Sequence, residues 1–166
     1  MPADTTTGSS FKDCLGKLVR LGLAAIRASQ GAVLLNTNDG RALRFALVVS
    51  RSGLERHRQR FECLVGKEVP VGKGVTGLAA LERKPHCAFG GESKDGFFRV
   101  QGDGAPSAIM AVPMLYGETL IGVMTAISFD RDRAFPPESL DTYCGYAEVV
   151  AGLVHCTEGM LEHECF

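Results

Sequence analysis

The stretch Ser107 to Phe129, SAIMAVPMLYGETLIGVMTAISF, decides the fold. Two runs rich in aliphatic residues meet at Tyr116-Gly117-Glu118-Thr119, which predicts an antiparallel hairpin at the centre of a sheet. Upstream lie two more apolar runs, Ala32 to Thr37 and Ala42 to Ser50, separated by Asn38-Asp39-Gly40. Asp-Gly between such runs is a strong hairpin signal, so a second strand pair is expected there.

Further upstream, Phe11, Leu15, Leu18, Val19, Gly22 and Ile26 recur at helical spacing. They predict an amphipathic helix from a Ser10/Asp13 capping pair to about Gln30, with Gly31 stopping it. Residues Arg51 to Arg60 have the charge density of a solvated linker or short surface helix. From Val69 the chain reads VPVGKGVTGLAALERKP, where Gly72, Gly74 and Gly77 open a short helix that Pro85 ends. Pro85 to Pro106 combines five glycines with Phe89, Phe97 and Phe98, a mixture suited to a cover over a pocket, here called the lid.

Downstream of the hairpin, Phe135-Pro136-Pro137-Glu138 introduces a last helix with Leu140, Tyr143, Cys144, Ala147, Val150, Ala151 and Val154 along one stripe. Tyr146, Val149 and Leu153 make a second stripe beside it. So much apolar circumference points to a partner helix, and self-association is the simplest source. Leu15 and Leu18 of the first helix with Tyr146, Val149 and Leu153 of the last are the expected dimer positions. The expected organisation is a flexible N-terminus over 1–9, one domain over 10–158 and a C-terminal tail over 159–166.

The chain has 166 residues, 45% hydrophobic and 22% charged, and a formal net charge of −1. These values suit one folded domain and give no field for general binding to nucleic acid or a membrane surface. The first residues lack the basic start and apolar run of a secretory signal, and no apolar stretch reaches membrane-spanning length. A cytoplasmic location is expected. The six cysteines contain no CxxC pair and read as reduced thiols.

Four motifs stand in order: GKGVTG at 72–77 followed by Leu-Ala-Ala, SAIMAVPM at 107–114, GETLIGVM at 117–124, and FPPESLD at 135–141. Together they resemble the GAF domain family over most of the chain. The resemblance implies an α+β, GAF/PAS-like fold with a central antiparallel sheet of about five to six strands. Terminal helices would cover one face, and short helices and the lid would enclose a pocket on the other. Two positions depart from the family pattern: Phe89-Gly90-Gly91 stands where an aspartate is common, and Pro136 replaces the capping Ser or Thr of the last helix.

A family pocket implies a small-molecule-binding, sensory or regulatory role in signal transduction, with an unknown ligand and no assigned cofactor. Thr76, His86, Phe89, Phe97, Phe98, Met110, Thr125 and Ile127 are the expected lining. The bare amides at Gly74 and Val75 offer an anion seat at a helix start, although the same glycines serve tight packing equally well. The three phenylalanines could stack on a flat ligand or fill the space themselves. A homodimer or a separate signalling protein would receive the output.

The alternatives come from cysteine and histidine. Some GAF-like proteins reduce free methionine-R-sulfoxide through cysteines, one of them in the lid, but residues 88 to 106 contain none. Cys87, beside His86, leaves a thiol oxidoreductase, with Cys63 as its possible partner, as the runner-up. An interaction module without ligand is the third reading. The tail holds His155, Cys156, His163 and Cys165, yet no pair has usual zinc spacing, and neither a metal site nor catalytic residues are assigned.

Overall fold

Alternation along the decisive stretch builds the predicted hairpin, and four further strands extend it on both sides. In chain order the elements are α1 (Thr5–Ile26), β1 (Gln30–Asn36), β2 (Ala42–Ser50), β3 (Glu68–Pro70), α2 (Gly74–Glu82), β4 (His86–Phe89), β5 (Ala108–Tyr116), β6 (Thr119–Ser128) and α3 (Pro137–Cys156). This is a computed structural model that describes residues 5–51, 62–89, 107–129 and 135–157, the first six of these as backbone only. The sheet is antiparallel throughout, in the order β3-β2-β1-β6-β5-β4. It is the α+β architecture the motifs imply.

Strand alternation sends successive side chains to opposite faces, and each face has its own core. On one face α1 and α3 bring Leu15, Val19, Leu23, Tyr143, Ala147 and Val150 against Val33, Met110, Val112, Met114 and Met124 of the sheet. On the other, Val75, Ala79 and Ala80 of α2 meet Leu34, Leu43, Phe45, Ile109, Ala111 and Val123. Leu23 and Tyr143 are completely buried, and each such side chain contributes on the order of 2 kcal/mol through apolar area removed from water.

The helices lie so close to the sheet at one point that only glycine fits. A β-carbon on Gly31 would stand 2.7 Å from the Thr125 carbonyl oxygen and 2.8 Å from Leu23 Cδ2. There the buried Tyr143 hydroxyl donates a 2.8 Å hydrogen bond to that same carbonyl, which satisfies the polar end of the ring. Burial pushes the Tyr143 phenol far above its ordinary value, so it stays protonated and keeps donating.

The structure corrects several expectations. Helix α1 starts at Thr5 rather than near Ser10, so Ser10 lies inside the helix and does not cap it, and residues 5–9 are helical. It ends at Ile26 because Arg27 turns left-handed (φ 57°), with no glycine at the stop. Gln30 and Gly31 therefore belong to β1 and not to the helix. His86–Phe89, read as the beginning of the lid, is an edge strand paired with β5. The linker 52–60 and the lid residues 90–106 lie outside the described residues.

The partner for the doubly apolar last helix is α1 of the same chain. Tyr146 and Leu153 pack against the shared α1/α3 core, and a β-carbon on Gly22 of α1 would touch the Tyr146 ring at 3.1 Å. Leu15 is only 4% exposed and is part of that core, so it is withdrawn as a dimer contact. Leu18 is half-buried, whereas Val149 stands 52% exposed.

Candidate functional site

Pairing register decides which expected pocket residues share a face. Thr125 pairs with Ala32 and Ala111, and Ile127 with Gln30 and Ile109, so both point to the α2 side. Met110 pairs with Ala126 and belongs to the opposite core beneath α1 and α3. It is a core methionine, not pocket floor: cross-strand partners share a face, and its partner is one residue out of step with Thr125 and Ile127. Cys87 pairs with Met110 and Phe89 with Ala108, so alternation turns both toward the helix side as well. Phe89 is thereby separated from the α2 face, while Phe97 and Phe98 lie outside the described residues.

His86 alternates with Cys87 and faces α2. Its Nε2 lies 2.7 Å from Glu82 Oε2, an ion pair whenever the imidazole is protonated. Thr76 is half-buried on α2. The start of that helix is held by backbone alone: Lys73 is an extended N-cap without a side-chain hydrogen bond, and the Gly72 amide donates to the Gly77 carbonyl at 2.8 Å. Gly72 and Gly74 have positive φ, and a β-carbon on Gly77 would stand 2.5 Å from the Pro70 carbonyl oxygen. The glycines of GKGVTG thus have a packing reason of their own.

The sequence reading missed Gln30. It is 1% exposed on the α2 side of β1, among Ile127, Ala32 and Thr125, and its Oε1 has no hydrogen-bond partner among the described residues. Its amide nitrogen reaches only Ser50 Oγ, at 3.5 Å. Asn36, at the other end of β1 and on the same side, also holds an unpartnered buried oxygen, Oδ1, while its Nδ2 donates to the Leu120 carbonyl at 2.7 Å. A buried acceptor left unmade costs about 1 to 3 kcal/mol, so such atoms call for an explanation. The signal was available. Helical phase after Ile26 runs into polar Ser29 and Gln30, which marks the helix end, and from Gln30 onward every second residue faces α2.

Cys14, Cys87, Cys144 and Cys156 are free thiols. Burial pushes the Cys87 thiol up. It does the same to Cys144, where Asp141, Glu148 and Cys87 add to the effect. Cys144 therefore sits within electrostatic reach of Cys87, a neighbour that sequence reading did not pair with it. Both environments favour the thiol over the nucleophilic thiolate. His155 stacks on Tyr116, with ring centroids 4.1 Å apart, and no group of three His, Cys, Asp or Glu side chains suited to a metal occurs among the described residues. His163 and Cys165 lie outside them. No helix among the described residues is long and apolar enough to cross a membrane.

The family model described as GAF domain matches residues 11–154. No curated protein sequence matches. Among solved structures, the GAF domain from a phosphoenolpyruvate-protein phosphotransferase of Coxiella burnetii is similar, with a TM-score of 0.72, 16% identity, and coverage of 90% of this chain and 84% of that one. The GAF-B domain of DevS from Mycobacterium smegmatis has a TM-score of 0.65 at 15% identity, covering 94% and 98%. Free methionine-R-sulfoxide reductase from Neisseria meningitidis, solved with its substrate, has a TM-score of 0.67 at 14% identity, covering 90% and 80%. At these identities the likeness is one of fold.

Proposed function

The chain belongs to the GAF domain family, and within it we propose a sensory or regulatory module that binds a small molecule on the α2 side of its sheet. One observation carries the reading: on the α2 side of the sheet Gln30 holds a buried Oε1 that has no hydrogen-bond partner among the described residues. An apolar site with a few placed polar groups is the usual form of a small-molecule pocket. The ligand is one that donates an N–H or O–H to Gln30, with Thr125 and Ile127 beside that side chain and Thr76 and His86 further out on the same side of the sheet. The amides at Gly74 and Val75 remain a seat for an anionic group of the same ligand. Phe97 and Phe98 keep their proposed role as cover.

Binding would alter the sheet, and α1 and α3 on its other face would pass the change to a second copy or to a separate signalling protein in the cytoplasm. The dimer surface is the exposed Val149 with its half-buried neighbours Tyr146 and Leu153, and Leu18 of α1. Light scattering of the concentrated protein tests this part, and a strict monomer with and without ligand removes it. The binding part is tested by screening small metabolites for a thermal shift that Gln30→Leu abolishes.

A second reading has one observation in its favour: Cys87 of β4 and Cys144 of α3 are both thiols on the helix side of the sheet within electrostatic reach of each other, and if brought into contact they would supply the two electrons of a sulfoxide reduction by closing a disulfide. It predicts loss of methionine sulfoxide in the presence of a thiol reductant and none in Cys87→Ser. No turnover by the unmodified protein ends it.

A further inference from the structure

On the opposite face from the Gln30 site, a cleft of about 270 Å³ opens between the end of α1, the end of β6 and the start of α3. Ala25, Ile26, Phe135 and Pro136 give it apolar walls, while Arg27, Glu138, Ser128 and Ser139 bring polar groups to it.

Three features decide what this cleft can hold. Ser139 is 6% exposed as a residue and lines the cleft, where its hydroxyl has no protein partner among the described residues and is open to a ligand. The helix it opens has Pro136 as N-cap and lacks a side-chain cap, and its Ser139 amide already donates to the Pro136 carbonyl at 2.9 Å. Arg27 occupies a left-handed backbone conformation (φ 57°) that favours glycine or asparagine. The other left-handed arginine among the described residues, Arg83 (φ 56°), uses its guanidinium to bond the Glu118 carbonyl in the β5–β6 turn. Arg27 makes no side-chain hydrogen bond or ion pair among the described residues and lines the cleft.

We propose that this cleft binds a small organic monocarboxylate, its oxygens taken by the Arg27 guanidinium and the Ser139 hydroxyl and its tail by Ile26, Phe135 and Pro136. Arginine suits a carboxylate because its planar fork matches two oxygens at once. The apolar walls select an organic tail over a bare inorganic ion. Glu138 in the lining sets the charge limit: beside a single cation it repels a dianion, which disfavours phosphate relative to a monocarboxylate. A ligand here would tie the end of α1 to the start of α3.

The test uses hexanoate, with hexanol and inorganic phosphate as controls, on the full chain, by calorimetric titration and thermal shift. Hexanoate is expected to bind saturably in the millimolar range or tighter, roughly 1 mM corresponding to a modest site. Hexanol and phosphate should bind at least tenfold more weakly. Arg27→Gly should raise the melting temperature, because glycine relieves the left-handed backbone, and weaken hexanoate at least tenfold. Arg27→Gln, which keeps the side-chain bulk, should weaken it similarly, and Ser139→Ala should weaken it several-fold. Glu138→Gln should tighten hexanoate and admit phosphate. Equal binding of hexanol, unchanged affinity in both Arg27 variants, or no saturable hexanoate binding would overturn the proposal.

Discussion

The two faces of the sheet treat their buried polar groups in opposite ways. Under α1 and α3 the Tyr143 hydroxyl is fully enclosed and finds the Thr125 carbonyl at 2.8 Å. Under α2, Gln30 and Asn36 each leave a buried oxygen without a partner. Both belong to the same strand, β1, whose even-numbered residues serve one face and odd-numbered residues the other. Where α1 and α3 press on the sheet the contact is organised for stability, since the Tyr143 hydroxyl is satisfied and the close approach at Gly31 admits only glycine. The α2 face carries an unmet hydrogen-bonding capacity that the fold itself does not need. A structure that leaves such capacity in place at a cost of about 1 to 3 kcal/mol per group has a use for it elsewhere.

This contrast breaks most visibly on the helix face. Leu23→Ala should destabilise the protein by about 3 kcal/mol, the cost of lost transfer energy plus a cavity at a site with no exposure, measured by chemical denaturation. Gly31→Ala should cost about 2 kcal/mol, because its β-carbon meets the Thr125 carbonyl backbone, which cannot yield as a flexible side chain would. Neither change should depend on any ligand.

Tyr143→Phe should cost about 1 kcal/mol at neutral pH. Its pH dependence has a definite sign. The folded state holds the phenol above its ordinary value, so its contribution is intact below about pH 10 and falls as pH rises, when the unfolded chain ionises and the folded chain does not. Comparing denaturation midpoints at pH 8 and at about pH 10.5 should show the wild type losing more stability than Tyr143→Phe. Equal losses would contradict the buried-phenol account.

The smallest effect should have the opposite sign. Gln30→Leu removes an unsatisfied acceptor and only one long hydrogen bond, so it should leave the free protein unchanged or stabilise it by up to about 1 kcal/mol. A loss of more than 1 kcal/mol would mean that Gln30 is structural and would erase the contrast between the faces.

How much of this was legible in the sequence follows from what each signal encodes. The hairpin at Ser107–Phe129, the strand pair around Asp39-Gly40 and the last helix follow from local periodicity and turn chemistry, and all three occur. The end of α1 did not, because the stop is a left-handed arginine rather than a glycine, and a helix read four residues too long swallowed Gln30. Face assignment also needed pairing. Met110, Thr125 and Ile127 look alike as strand residues, but only the β5–β6 register shows that Met110 shares a side with Ala126. Likewise, an apolar stripe on the last helix demanded a partner without saying whose, and α1 of the same chain covers much of it.

The central claim is that the unmet hydrogen-bonding capacity of Gln30 exists for a ligand. Native mass spectrometry of the protein as purified, beside Gln30→Leu prepared identically, tests it most directly. The account predicts a small-molecule adduct on the wild type that is missing from an equally folded Gln30→Leu protein. The same adduct on both proteins, or none on the wild type, would contradict it.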